Sequence, residues 1–191
     1  MRVQRFRDAG AFLDAAGPWL ARAEVENNAM IGVARSIADG TRTPKEPPYF
    51  AAALDGGSIV CCATQTPPHV LMVTAGPPGA LAALAADAFD AFGCLSGVNG
   101  PCEPAADFAN AWTELAGGRA SLRARLRLHR IDRIDTGVAA GEASAAEPVA
   151  GGPPRTTVRD RLWIFSVLAG GDNKSLERGN VLGGSRMTPA E

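Results

Sequence analysis

Four side chains in the first half of the chain could take up or release a proton during a reaction. Glu24 and Glu26 lie in a segment with helical spacing, Tyr49 opens an apolar run, and His69 follows a pair of prolines. Carboxylate, phenol and imidazole groups are common general acids and bases. The competing interpretations are structural, with the glutamates on a solvated helix face and His69 as a turn or strand-edge residue.

Three asparagines are candidates for binding a polar substrate. Asn27 and Asn28 are adjacent in the helical segment, although asparagine is a poor interior helix former. They either line a substrate cleft or hydrogen-bond a neighbouring loop. Asn99 lies in a glycine-containing segment at 97–101. It either holds a turn that needs positive φ or faces the cleft from the end of a strand.

The cysteines do not have the spacing of metal ligands. They are Cys61, Cys62, Cys94 and Cys102, and no CxxC pair occurs. We therefore predict no metal site and expect reduced thiols. Cys102 directly precedes a predicted helix, so it is the candidate for a nucleophilic thiol, against a purely structural role.

Composition and charge narrow the class of protein. The chain has 191 residues, 46% of them hydrophobic, and a formal net charge of -1. This length suits one domain or slightly more, and the charge argues against nucleic acid as a partner. The N-terminal decapeptide MRVQRFRDAG is charged, and no apolar run has membrane-spanning length. We expect a cytoplasmic protein, of bacterial origin from its alanine and glycine content, that does not bind a membrane.

Hydrophobic periodicity predicts strands and helices over residues 1–135, then a linker at 136–154 and a short tail at 155–191. In the tail only residues 161–168 could pack, and we expect the rest to be partly disordered. The predicted fold class is α/β of the α+β kind, with a mixed, mostly antiparallel sheet flanked by helices. The predicted strands lie at 3–6, 49–54, 58–64, 69–74, 97–101 and 121–135, and the predicted helices at 9–16, 19–38, 80–92 and 103–115.

The last of these strands alternates between apolar and basic residues. Leu122, Ala124, Leu126 and Leu128 alternate with Arg123, Arg125, Arg127 and His129. The basic side could bind phosphate or nucleic acid, or it could be a solvated face that pairs with acidic neighbours. The near-zero net charge and the absence of interleaved aromatic residues favour the solvated face.

Several short motifs, in order, carry a family resemblance. They are AEVENN at 23–28, PYF at 48–50, QTPPH at 65–69, GVNGP at 97–101, Phe108, Trp112 and residues 123–132. With the element order, they resemble the GNAT superfamily of acyl-CoA-dependent N-acetyltransferases. More narrowly, residues 1–135 resemble the amino-terminal half of a bacterial subgroup whose members have two related halves.

The resemblance implies a fold, a cofactor and an activity. In the family a mixed sheet is splayed between two strands, acetyl-CoA lies in the splay, and its pyrophosphate binds at a helix N-terminus. The implied reaction transfers an acetyl group to a small-molecule or peptide amine. Glu24 and Glu26 would lie on the helix that borders the acceptor site. Gly76 and Gly79, at the expected strand-to-helix junction, would be the cofactor-binding candidates.

The family's cofactor signature does not occur in this chain. It consists of Arg or Gln, two residues, Gly, any residue, then Gly or Ala. Residues 178–181 read RGNV, with Val181 where the first Gly belongs, and the junction at 74–79 contains Pro77 and Pro78. We therefore carry two hypotheses: an acetyltransferase, or a non-catalytic GNAT-like binding or dimerisation module, including a homodimer. The second implies a carboxyl-terminal half that is truncated, alternatively ended or frame-disrupted.

Overall fold

Helices cover both faces of one mixed sheet in the computed structural model, which describes residues 1–131 and 156–168. For residues 127, 129–131 and 156–168 only the backbone is described. The strands are β1 (Arg2–Arg5), β2 (Tyr49–Asp55), β3 (Ser58–Gln65), β4 (Leu71–Val73), β5 (Val98–Pro101), β6 (Arg119–Ile131) and β7 (Thr156–Leu168). The helices are α1 (Ala9–Leu20), α2 (Glu24–Ala38), α3 (Pro78–Phe92) and α4 (Cys102–Ala116), with a 3₁₀ turn at Ala21–Ala23.

The strands of the sheet follow the order β1-β2-β3-β4-β5-β7-β6. β4 and β5 are parallel, and every other neighbouring pair of described strands is antiparallel. This confirms the predicted α+β fold with a mixed, mostly antiparallel sheet. Because β4 leads into α3 and β5 into α4, both parallel strands point toward the beginning of a helix.

The apolar sequence of β2 reflects burial on both of its faces. Tyr49, Ala51 and Ala53 pack in a core with α3 and α4, whereas Phe50 and Ala52 pack in a second core with α1 and α2. We call these two sides of the sheet the α3/α4 face and the α1/α2 face. Any group on the sheet can therefore be assigned to one side by its position along its strand.

The turn between β2 and β3, whose strands were predicted at 49–54 and 58–64, contains two adjacent glycines. Gly56 and Gly57 have φ angles of 54° and 86°, a region that glycine enters without steric cost. The third strand of this meander is shorter than the predicted 69–74. It covers only Leu71–Val73, because the chain before it is folded into a turn in which the His69 N–H bonds to the Thr66 carbonyl at 3.0 Å.

The helix boundary near Pro18 differs from the prediction. Asp8 caps α1, accepting from the Ala11 N–H at 2.8 Å. Pro18 does not interrupt the helix, since α1 continues to Leu20, and the prediction of a helix beginning at residue 19 is wrong. The Leu20 carbonyl instead accepts a bond from the Asn27 Nδ2 at 3.0 Å, so a side chain of α2 stabilises the break.

Residues 156–168 form a strand inside the sheet that the predicted element order does not contain. β7 lies between β5 and β6 and is antiparallel to both. Part of the tail at 155–191 is thus continuous with the sheet of the first 131 residues. Residues 132–155, which include the predicted linker at 136–154, and residues 169–191 lie outside the described residues.

Candidate functional site

The parallel pair β4–β5 has the geometry at which open sheets bind ligands. Its register joins Leu71 to Val98 and Met72 to Asn99. The carboxyl ends of these strands face the first turns of α3 and α4. In open sheets ligands bind at this edge, and anions bind the N–H groups of a helix N-terminus.

The chain leaving β4 packs tightly against β3. The Thr74 N–H bonds to the Cys62 carbonyl at 3.0 Å, and the Cys62 N–H bonds back to the Thr74 Oγ1 at 2.9 Å. A Cβ on Gly76 would lie 2.6 Å from the Cys61 Cβ and 2.8 Å from the Cys61 Sγ. Position 76 therefore needs a glycine for packing, whether or not a ligand binds there, whereas a Cβ added to Gly79 would meet nothing within 4 Å.

The first turn of α3 has few groups that could bind an anion. Pro77 is the N-cap residue and Pro78 is the first helical residue, and neither has an N–H. The Ala80 and Leu81 N–H groups both bond to the Pro77 carbonyl, at 2.9 Å and 3.2 Å. A pyrophosphate needs several neighbouring donors. The residues present at this turn therefore do not fit the diphosphate of acetyl-CoA.

The two parallel strands also meet at the level of Gly100. A Cβ on this residue would lie 2.6 Å from the Val73 Cγ2 and 2.7 Å from the Val73 carbonyl oxygen. β4 and β5 are thus in close contact at the level of Val73 and Gly100. No room remains between Val73 and Gly100 for a pantetheine chain.

Two unpartnered oxygens lie on the α1/α2 face of the same strands. The register places Thr64, Met72 and Asn99 side by side across β3, β4 and β5, and we call these residues the polar row. Thr64 Oγ1 and Asn99 Oδ1 are buried and have no hydrogen-bond partner among the described residues. An unpaired buried polar atom costs about 1–3 kcal/mol, so these groups are the strongest sign of a ligand in the described chain.

Asn99 was predicted as a site residue, and Thr64 was missed. Asn99 is a strand residue of β5, so it is not the turn residue of the alternative interpretation. Thr64 lies near the end of β3 and is completely buried. A hydroxyl directly after the apolar run at 59–63 was the signal in the sequence, but its burial depends on the pairing with Met72.

The predicted residues of α2 have separate environments. Glu24 and Glu26 lie in the first turn of α2, where the positive end of the helix dipole stabilises a carboxylate. Glu24 and Asn28 are exposed, and Glu26 is half-buried. Asn27 is buried and its side chain is used in the bond to Leu20 described above, which supports the structural alternative for this residue.

His69 has the surroundings of a turn residue. Its side chain is exposed, its N–H bonds to the Thr66 carbonyl, and its own carbonyl accepts from the Gln65 Nε2 at 3.1 Å. These contacts involve only the backbone of His69. They favour the turn interpretation over a general base.

Tyr49 belongs to a network that links the sheet to α3. Its hydroxyl donates to the Asp87 Oδ2 at 2.6 Å, and the Arg5 Nε donates to the same oxygen at 2.8 Å. A terminal nitrogen of Arg5 also bonds to the Asp87 carbonyl at 2.8 Å and to Asp90 at 3.0 Å. Burial, together with the bond to Asp87, raises the pKa of Tyr49 well above its ordinary value. The phenol is therefore a neutral anchoring group.

The candidate acids and bases do not meet in one site. Tyr49 packs in the core on the α3/α4 face, whereas α2, with Glu24 and Glu26, packs on the α1/α2 face. Sequence reasoning missed the partners of Tyr49, because Arg5 and Asp87 are 82 residues apart in the chain.

The buried thiols are poor nucleophiles. Burial raises the pKa of Cys61 to about 11 and raises that of Cys62 further. All four cysteines are free thiols, with Cys94 exposed and Cys102 half-buried. Among the described residues no group of three or more His, Cys, Asp or Glu side chains could hold a metal ion.

Comparison with known protein families, curated proteins and solved structures found no match for this chain. No helix in the described ranges is both long enough and apolar enough to cross a membrane.

Proposed function

We propose that the chain is a non-catalytic GNAT-like module, an acetyltransferase-type fold that serves in binding or dimerisation. The observation that carries this proposal is the first turn of α3. Pro77 and Pro78 remove two donors there, and the Ala80 and Leu81 N–H groups are already bonded. In the turn that precedes the helix, Gly76 also packs directly against the Cys61 side chain.

The module's binding surface, in this proposal, includes the polar row on the α1/α2 face. Thr64 Oγ1 and Asn99 Oδ1 are buried without a partner in the described part of the chain, and Met72 between them is half-buried. A bound molecule or a second protein half that donates hydrogen bonds would remove the cost of these two acceptors. We propose a bacterial, cytoplasmic setting for the module, for which the support is its free thiols.

A second candidate function is transfer of an acetyl group from acetyl-CoA to a small-molecule or peptide amine. The observation that favours it is the position of Asn99 on the parallel pair β4–β5, beside the strand that leads into α3. Glu24 or Glu26 would then be the candidates for a base on that face. This candidate requires a diphosphate site elsewhere, since the α3 turn does not supply one.

Two measurements on the purified full chain separate these functions. Calorimetric titration with acetyl-CoA tests for the cofactor, and light scattering across a range of protein concentrations tests for the dimer. The non-catalytic module predicts no cofactor binding, and its dimerisation form predicts a mass that doubles with concentration. Saturable binding of acetyl-CoA together with acetylation of a panel of primary amines would favour the second candidate.

A further inference from the structure

The half of the sheet that ends in β6 is packed differently on its two faces. On the α3/α4 face, α4 contacts β5, β6 and β7. On the α1/α2 face, the core formed with α1 and α2 contains residues of β2 and β3, with Met72 of β4 at its margin. Among the described residues, none of β5 or β6 belongs to that core. These strands therefore present a sheet surface beside the layer formed by α1 and α2.

The pairing register shows which residues lie on this surface. Val98 belongs to the core on the α3/α4 face, so the next residue of β5, Asn99, lies on the α1/α2 face. Asn99 pairs with Ile164 of β7, and Ile164 pairs with Ala124 of β6. Directly paired residues share a face, and alternation along each strand adds every second residue. We define the open face as Asn99 and Pro101 of β5 with Ala124, Leu126 and Leu128 of β6.

A bulge at Arg123 brings the later apolar residues of β6 to the open face. Leu122 pairs with Phe165, and Ala124 pairs with the next residue of β7, so Arg123 is an extra residue in the ladder. An extra residue shifts the alternation by one position. Leu122 therefore lies on the α3/α4 face with Ala120, whereas the leucines at 126 and 128 lie on the opposite face.

The open face is mostly apolar. Leu126 is 42% exposed, and the other four residues are half-buried. Asn99 supplies the polar group of the set, an amide whose Oδ1 has no hydrogen-bond partner in the described chain. Apolar surface that stays accessible on a folded protein is typical of an interaction site.

A second copy of the chain matches the open face in charge and in shape. The five side chains are all uncharged, so two such faces meet without like-charge repulsion. An amide carries both donors and an acceptor, so the Asn99 amide is complementary to its equivalent on the other copy. The layer of α1 and α2 forms a step of about one helix diameter, roughly 10 Å. A second sheet packs at about 10 Å from the first and therefore fits beside this step.

The size of the surface predicts a weak dimer. β6 and β7 have 13 residues each, and β4 and β5 have three and four. At about 3.3 Å per residue and 4.8 Å per strand, these strands cover roughly 500 Å² on each copy. Standard stable interfaces bury about 800 Å² per partner. We therefore expect a dissociation constant in the micromolar range.

We propose that two copies of the chain pack their open faces together, sheet against sheet, around a two-fold axis that buries Leu126 in the contact. The α1 and α2 layer of each copy then lies beside the β6 end of the other sheet. Because both copies use the same surface, association stops at the dimer. This inference rests on the proposed function, since it names the surface through which the module dimerises.

Sedimentation equilibrium of the purified full chain, from micromolar to millimolar concentration, tests for this dimer. Leu126→Lys places a charge in the contact on both copies and should weaken dimerisation about tenfold or more. Leu126→Ala keeps the surface uncharged and should weaken it about three- to tenfold through lost apolar area. The matched control is Leu115→Lys, because Leu115 on α4 is 46% exposed and lies outside the open face. Circular dichroism checks that each variant is folded.

Three results would overturn the inference: a monomer up to millimolar concentration, dimers of both Leu126 variants as tight as the parent, or an equal loss in Leu115→Lys. Titration with acetyl-CoA separates these results from a failure of the proposed function. A folded monomer that binds no acetyl-CoA rejects the dimer and leaves the non-catalytic module in place. A dimer that depends on Leu126 and binds acetyl-CoA rejects the non-catalytic assignment and supports the open face as the interface.

Discussion

Gly76 lies against Cys61 so closely that a Cβ at position 76 would be 2.6 Å from the Cys61 Cβ. The sequence placed Gly76 in a candidate cofactor turn and Cys61 in a strand. The two residues instead form one packing contact. The contact ties the chain that follows β4 to the centre of β3. It also makes the role of Gly76 testable without any ligand.

Gly76→Ala should destabilise the protein, because the added methyl overlaps the Cys61 side chain. We expect a loss of about 1–3 kcal/mol in the free energy of unfolding, measured by urea denaturation. The matched control is Gly79→Ala, three residues further on, where no atom lies within 4 Å of the new Cβ. That change should be neutral or stabilising by up to about 1 kcal/mol. Equal stability of the two variants would refute the packing role.

Tyr49→Phe should weaken the attachment of α3 to the sheet. The change removes the 2.6 Å bond to Asp87 and leaves the aromatic contact with Phe92 in place. We expect a loss of about 1–2 kcal/mol, since the bond is charge-assisted and buried on the tyrosine side. Asp90→Asn is the control, because the Asp90 side chain is 82% exposed and its pair with Arg5 should contribute little. A larger loss in the Asp90 variant would contradict this ranking.

Alkaline pH should destabilise the fold through its buried thiols and phenol. Burial raises the pKa of Cys61 from 9.0 to about 11, so its neutral form is favoured in the folded state. Such a group contributes stability that is fully present below pH 9.0 and is lost as the pH rises toward about 11. The slope is at most about 1.4 kcal/mol per pH unit for each group.

The variant that checks this slope is Cys61→Ala, with urea denaturation repeated at several values between neutral pH and pH 11. Its unfolding free energy should fall less steeply above pH 9.0 than that of the parent protein. Gly79→Ala should keep the parent slope. An identical slope in all three proteins would show that the Cys61 thiol does not contribute.

Asn27→Ala should destabilise the junction of α1 and α2. The variant leaves the Leu20 carbonyl without the 3.0 Å bond that it accepts from the asparagine amide. We expect a loss of about 1–2 kcal/mol. Asn28→Ala changes an exposed neighbour in the same helix and should be neutral or slightly stabilising, because alanine is the better helix former. A ligand-binding Asn27 with no structural role would give the same stability in both variants.

Local patterns predicted much of the fold. The apolar run of β2 and the glycines at 56 and 57 specify a hairpin by short-range chemistry, and Asp8 specifies the start of α1 in the same way. The end of α1 at Leu20, beyond Pro18, was not predicted, and the Asn27 amide that bonds to the Leu20 carbonyl comes from the next helix. The strand β7 was missed because its place between β5 and β6 depends on long-range pairing.

The candidate site was less predictable than the fold. Asn99 was named from its type and setting, but the burial of its Oδ1 beside Met72 and Thr64 arises from pairing between three strands. The contact of Gly76 with Cys61 and that of Gly100 with Val73 are likewise tertiary. A glycine in a sequence that resembles a cofactor turn can therefore serve either to bind the cofactor or to pack against a neighbouring strand. The contacts with that strand distinguish the two roles.

Calorimetric titration of the full chain with acetyl-CoA tests the central claim most directly. The account predicts no binding heat up to near-millimolar cofactor, and none with coenzyme A, because the prolines at positions 77 and 78 leave too few donors for the diphosphate. Saturable binding at micromolar concentration, lost in Gly79→Pro but retained in Gly79→Ala, which keeps the N–H at that position, would contradict it.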